Sequence, residues 1–133
     1  GLNYAANNYS LGRDLVDQIR SKPNDAFSYP AIDPVNVDFS KYDTVIIGTP
    51  LWWNNMAAPM QTFLFHNGKA MAGKKIGLIV SSASSGISGV ERDAKRLIPE
   101  GNFTKSLWIR SYQVSSAPKM VSEWLKANDL AVK

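Results

Sequence analysis

Trp52-Trp53 is the pair of side chains in this chain best suited to holding a ligand. It follows Val45-Ile46-Ile47, a short β-branched run stopped by Gly48 and Pro50. Such an unbroken run predicts a strand buried on both faces. Asn54 and Asn55 suit the left-handed backbone of a tight turn. Pro59 suits the first turn of a helix, where its missing N–H costs nothing. Tyr42–Pro59 therefore reads as strand, aromatic loop and helix. Consecutive residues cannot share one face of a strand, so at most one indole points into a core and the other is available for stacking. In open parallel sheets, ligands sit just past the carboxyl ends of strands. An indole pair there is a platform for a flat, conjugated ligand, and aromatic stacking adds about 0.5–1.5 kcal/mol beyond area burial. The plain alternative is that both rings cover the sheet end or a dimer contact. Trp108 and Trp124 fall on packing faces and read as core.

Ser81–Gly89, SSASSGISG, is a second candidate. Its small residues let backbone N–H groups approach a ligand carbonyl closely. Ser88-Gly89-Val90-Glu91 matches the S-x-x-E capping box of a following helix. Other chemistry finds little support. His66 is the single histidine, cysteine is absent, and no carboxylate lies four residues from His66, so no metal site is expected. No G-x-S-x-G elbow is present, although a Ser-His-Asp arrangement is spatial and stays open. Lys69, Lys74 and Lys75 read as a solvated turn. Glu91 and Asp93 read as charges serving a helix N-terminus. No catalytic side chain is assigned.

These loops need elements to hold them. Leu11, Leu15 and Ile19 recur every four residues after Ser10, a candidate N-cap, and predict an amphipathic helix ended by Lys22-Pro23-Asn24. Ala26–Ile32 predicts a short strand near a sheet edge, limited by Pro30. Met60, Phe63 and Leu64 share one face of the helix after the aromatic loop, which Asn67-Gly68 closes. Ile76–Val80 predicts a buried strand, with Gly77 allowing close approach of a neighbour. Val90, Ala94, Leu97 and Ile98 form the buried face of the next helix. Phe103–Arg110 predicts an edge strand. Ser115-Ser116-Ala117-Pro118 starts a final helix with Val121, Trp124 and Leu125 as its stripe. Alternating strands and helices imply parallel βαβ units.

With 133 residues, 44% hydrophobic and 20% charged, the composition is that of a globular chain, and 1–133 reads as a single domain. The net charge of +4 is spread along the sequence, which argues against a nucleic-acid surface. No apolar run approaches the length of a membrane helix, and no signal peptide is visible. The expectation is a cytoplasmic protein with no membrane partner.

YDTVIIGTPLWWNNMAAPMQTFL, a Gly-Lys turn and IGLIVSSASSG together resemble the flavodoxin-like superfamily. The likeness is closest to the branch with a P-x-W-W loop after the third strand, and it covers residues 8–130. It implies an α/β fold: a three-layer α/β/α sandwich on a parallel sheet of order 2-1-3-4-5. It implies FMN as cofactor, electron transfer as function, and a redox partner. Pro50, Leu51, Trp52, Trp53 and Asn54 would cover one face of the flavin ring. Ser82, Ala83, Ser84 and Gly86 would approach its edge.

One departure stands out. The family opens with a strand and a hydroxyl- and Gly-rich phosphate loop. Nothing before Leu11 reads as a buried strand, and Asn7-Asn8-Tyr9-Ser10 is at best a remnant of that loop. The fold is thus expected in a short or incomplete version, with a degraded phosphate site. Three arrangements would fill the gap in the sheet: pairing of Phe27–Tyr29 with Val45–Ile47, pairing with a second copy as a homodimer, or a longer gene product. The first two, with self-association, are favoured. Rival functions are a flavodoxin fold that has lost FMN and serves as an interaction module, and a quinone- or flavin-reductase subunit completed across a dimer. The positive charge counts against shuttling to basic redox partners.

Overall fold

The structure, a computed structural model, describes residues 9–130. Helix α1 spans Tyr9–Ser21. Strand β1, Thr44–Trp52, leads through a two-residue turn into β2, Asn55–Met56. Helix α2 is Ala58–Asn67, with Pro59 in its first turn as expected. Strand β3 is Lys75–Ser82 and helix α3 is Ser88–Leu97. Two short strands follow, β4 (Asn102–Phe103) and β5 (Leu107–Arg110), and helix α4 is Ala117–Ala127.

β3 lies at the centre of the sheet. It pairs in parallel with β1, from Thr44 opposite Lys75 to Pro50 opposite Ser81. Its other edge takes β4 and then β5, both parallel. The single strand expected over Phe103–Arg110 is therefore broken in two along one edge. β2 folds back antiparallel on the end of β1, so the sheet is mixed.

Residues in register across parallel strands share a face. Ile47, Ile76, Leu78 and Val80 face the main core, with Val16 and Ile19 of α1, Leu64 of α2, and Val90, Ala94 and Leu97 of α3. The opposite face is thinner. There α4 lays Trp124, 6% exposed, against Gly77, where an added Cβ would meet the indole at 2.7 Å. The close neighbour expected at Gly77 is this ring. The same indole donates to the Lys105 carbonyl at 2.6 Å.

Several expectations fail for physical reasons. β1 is not buried on both faces: Ile46 is 45% exposed, because α4 stops at Gly77 and nothing described covers the position beside it. Ala26–Ile32 holds no strand. The Asp25 carboxylate accepts from Phe27 N at 2.9 Å and winds Ala26–Ser28 into a 3₁₀ turn, which leaves Phe27 in solvent. Phe27–Tyr29 therefore does not pair with β1, whose outer edge from Thr44 to Pro50 has no strand partner among the described residues. Ser10 lies inside α1 rather than capping it. Ser88 likewise lies inside α3 and makes no cap bond, while Glu91 accepts from the Ser106 hydroxyl instead. Trp108 is half-buried, stacked under Arg110 at 3.8 Å, rather than enclosed in the core.

Candidate functional site

β1 and β3 run side by side, so their carboxyl ends deliver Pro50–Asn55 and Ser82–Ile87 to the same edge of the sheet. At that edge a cavity of about 390 Å³ is lined by Gly12, Leu51, Trp52, Trp53, Asn54, Ala83 and Ser85. Five of the nine residues singled out from sequence thus meet at one hollow: Leu51, Trp52, Trp53, Asn54 and Ala83. Pro50 and Ser84 are exposed and do not line the cavity. Ser82 acts within the protein, accepting from Trp108 Nε1 and donating to the Ser85 carbonyl, both at 2.8 Å. Gly86 lines a neighbouring, more polar hollow with Arg20, Ser88 and Arg92. Asn7 and Asn8, the proposed phosphate remnant, lie outside the described residues.

The two indoles play different parts. Trp52 packs on the core while Trp53 is 39% exposed. Gly12 on α1 presents bare backbone to both rings, and a methyl there would sit 3.7 Å from Trp52 and 3.8 Å from Trp53. The Arg13 guanidinium lies 5.9 Å from the Trp53 ring centroid, within cation–π range. One side of the hollow is therefore aromatic with a positive charge at its rim. The other side is the backbone of the serine-rich turn. The N–H groups of Ser84, Ser85 and Gly86 donate to no other protein group among the described residues, so they are available to a ligand's acceptors.

The aromatic loop is a tight hairpin. Trp52 pairs with Asn55, and the two residues between them have positive φ, 51° at Trp53 and 65° at Asn54. This is the pattern of a type I′ turn, which usually carries Asn-Gly. The sequence places the turn one residue late. Asn54 is left-handed as expected, but Asn55 is an extended, fully buried strand residue. Trp53 takes the other left-handed position, one that a bulky side chain avoids.

Gly12 and Asp93 were not singled out for the site, and Ser85 only as part of the small-residue loop Ser81–Gly89. Nothing in the type of Gly12 marks it; only the chain path brings it here. Asp93 could have been found. It sits three residues after Val90 and beside Ala94, so the buried stripe of α3 includes a carboxylate, and such a group needs a partner. It is 3% exposed and accepts from the Met56 N–H at 2.9 Å. His66 is exposed against Phe65, and no cluster of metal-ligating side chains exists among the described residues. No helix is long and apolar enough to cross a membrane among those residues.

This geometry matches known proteins. Among solved structures, a candidate flavoprotein from Bacteroides eggerthii superposes with a TM-score of 0.62 at 26% identity, over 85% of this chain and 66% of its own. One from Bacteroides uniformis gives 0.59 at 26% identity, over 77% and 64%. A Lactobacillus acidophilus flavoprotein in complex with FMN gives 0.60 at 22% identity, over 81% and 68%, which is a likeness of fold. The chain thus spans about two thirds of the length of these structures. Curated protein sequences contain no match. The profile of the flavodoxin family matches residues 15–128, nearly the whole described chain and both loops that wall the hollow. With a family profile that runs through residues 15–128, the chain belongs to the flavodoxin family, although its described sheet is mixed and lacks the strands expected outside β1 in the order 2-1-3-4-5.

Proposed function

We propose that this protein binds FMN in the hollow between Trp52-Trp53 and the serine-rich turn, and transfers electrons through it to a redox partner. The observation that carries the reading is the cavity itself: indoles on one wall, Ala83 and Ser85 of the serine-rich turn on the other, at the carboxyl ends of two parallel strands, with the Ser85 N–H unengaged among the described residues. These are the two surfaces that a flat heterocycle with carbonyl and nitrogen acceptors along one edge requires. When bound, FMN supplies the redox chemistry, and the protein supplies orientation and electrostatics.

Each residue has a task in this reading. Trp53, with Trp52 behind it, stacks on the ring. Leu51 and Ala83 keep water from its apolar part. The N–H group of Ser85 holds its polar edge. Pro50 and Ser82 shape the loops without touching the ligand. The Arg13 guanidinium beside Trp53, which also pairs with Asp14 at 3.7 Å, is a charge at the aromatic wall that suits the phosphate of FMN.

The test compares FMN with riboflavin, following tryptophan quenching and the flavin spectrum on the purified protein. Saturable binding of FMN, tighter than riboflavin, is the expected result. Equal, weak binding of both would support the ring platform and remove the phosphate from the account. Absence of binding by either would overturn the proposal and favour a flavodoxin fold used as an interaction module.

A further inference from the structure

The conformation of the Trp53–Asn54 turn is not explained by its own sequence. A type I′ turn favours Asn-Gly, and here Trp occupies the first left-handed position. Backbone held in a sparsely populated region persists only where surrounding structure over-determines it. Part of that surrounding structure is one face of α3.

Four residues of that helix make this face: Gly89, Arg92, Asp93 and Arg96, spaced i, i+3, i+4 and i+7. Gly89 lies under the turn, where an added Cβ would stand 1.8 Å from the Asn54 carbonyl oxygen. Arg92 donates to Asn55 Oδ1 at 3.1 Å, and Asn55 Nδ2 donates to the Trp53 carbonyl at 2.5 Å. Asp93 accepts from Met56 N–H at 2.9 Å. Successive residues of the return, 54, 55 and 56, are thus each met by one residue of α3.

The carboxylate is itself fixed. Arg96 lies 3.6 Å from Asp93 Oδ1 and donates to Gln61 Oε1 and to the Tyr29 hydroxyl, at 2.7 and 2.8 Å. Gln61 Nε2 donates to the Met56 carbonyl at 2.7 Å, so both backbone groups of Met56 are engaged by side chains. Asp93 is the sixth residue of α3, beyond the first turn, so it does not serve the helix N-terminus. A buried carboxylate costs stability unless paired and hydrogen-bonded. The partner that Asp93 reaches outside its own helix and the Arg96 guanidinium is the strand leaving the tryptophan turn.

We propose that Arg92 and Asp93 are positioning residues for the aromatic platform: without touching the ligand, they hold the Trp53–Asn54 turn left-handed and thereby aim the Trp53 ring at the hollow. The inference rests on the FMN reading for its affinity arm only; the state of the turn is measurable without any flavin. The helix that follows the serine-rich wall thus also sets the tryptophan wall, and the spacing between the two walls is fixed by α3.

The experiment uses protein labelled with 5-fluorotryptophan and read by ¹⁹F NMR, with the Trp53 resonance assigned by Trp53→Phe. Arg92→Ala removes a side chain that is 62% exposed and its bond to Asn55. Asp93→Asn keeps the shape and removes the charge. Lys95→Ala, on the outer face of the same helix, is the control. The expected result is that Arg92→Ala and Asp93→Asn shift or broaden the Trp53 resonance and leave Trp108 and Trp124 in place, while Lys95→Ala moves none. In a protein that binds FMN, the dissociation constants for FMN and for riboflavin should rise together in both variants, by roughly tenfold. If Asp93→Asn does not fold, Arg92→Ala decides alone. An unmoved Trp53 resonance in folded Arg92→Ala overturns the proposal. So does joint movement of all four tryptophans, which would mark general loosening, and so does unchanged flavin affinity in a variant whose turn has moved. Failure of the wild-type protein to bind flavin would overturn the FMN reading and leave the resonance test standing.

Discussion

Two adjacent indoles do different work because β1 ends at Trp52, while Trp53 stands in the left-handed turn beyond it. Trp52 turns toward the core, and Trp53 stays near solvent at the mouth of the hollow. Trp53→Ala should therefore weaken flavin binding more than it weakens the fold. Loss of about 0.5–1.5 kcal/mol of stacking, apart from area, corresponds to roughly 2–10-fold in the dissociation constant measured by fluorescence titration. Gly89 makes the opposite kind of demand. Its replacement by Ala drives a methyl into the Asn54 carbonyl, a backbone atom that cannot swing aside. Overpacking of this sort costs about 1–3 kcal/mol, and urea unfolding of Gly89→Ala should show it as a lower midpoint with an unchanged slope. The sequence announced the tryptophans and Asn54 plainly, since residue type alone marks a stacking surface and a left-handed turn. Asp93 was misjudged because its partner, the Met56 N–H, lies 37 residues away, and no local pattern connects them.

The elements that carry the site were legible where burial is one-sided and regular. β3 and the buried stripe of α3 were read correctly because Val, Ile and Leu fall at strand or helix period. α2 lies where it was expected, but it buries Ala58, Gln61, Thr62 and Leu64, and leaves Met60 and Phe63 partly buried. Local capping signals fared worse. Ser88-Gly89-Val90-Glu91 has the right letters, yet Glu91 finds the Ser106 hydroxyl, a tertiary partner that the pattern cannot see. Phe27–Tyr29 alternates like a strand, but the Asp25 side chain closes a tighter turn first. The result is that β1, with Ile46 exposed on it, keeps an outer edge without a strand partner among the described residues. Open, apolar strand edges invite pairing with another chain. Ile46→Lys should reduce any self-association seen by sedimentation velocity, while changing thermal stability by no more than about 0.5 kcal/mol, as for other surface substitutions.

At the scale of the molecule, the two faces of the sheet are unequal among the described residues. Three helices pack on one face, and on the other α4 meets the sheet through Trp124 over Gly77. Trp124→Ala should accordingly cost about 3–5 kcal/mol, the range for a truncated core aromatic, and lower the melting temperature measured by circular dichroism. α/β class, element order and the two loops at the carboxyl edge were all readable from alternation and punctuation. The split of the last strand and the thin second face were not, since both depend on what packs across the sheet. Membership in the flavodoxin family joins these features to one expectation, that a flavin lies between the loops. A crystal structure grown with FMN decides it: the ring should lie stacked on Trp53 with its polar edge toward the Ser84–Gly86 backbone. A flavin bound elsewhere on the surface, or a hollow that stays closed to it at saturating FMN, would contradict the account.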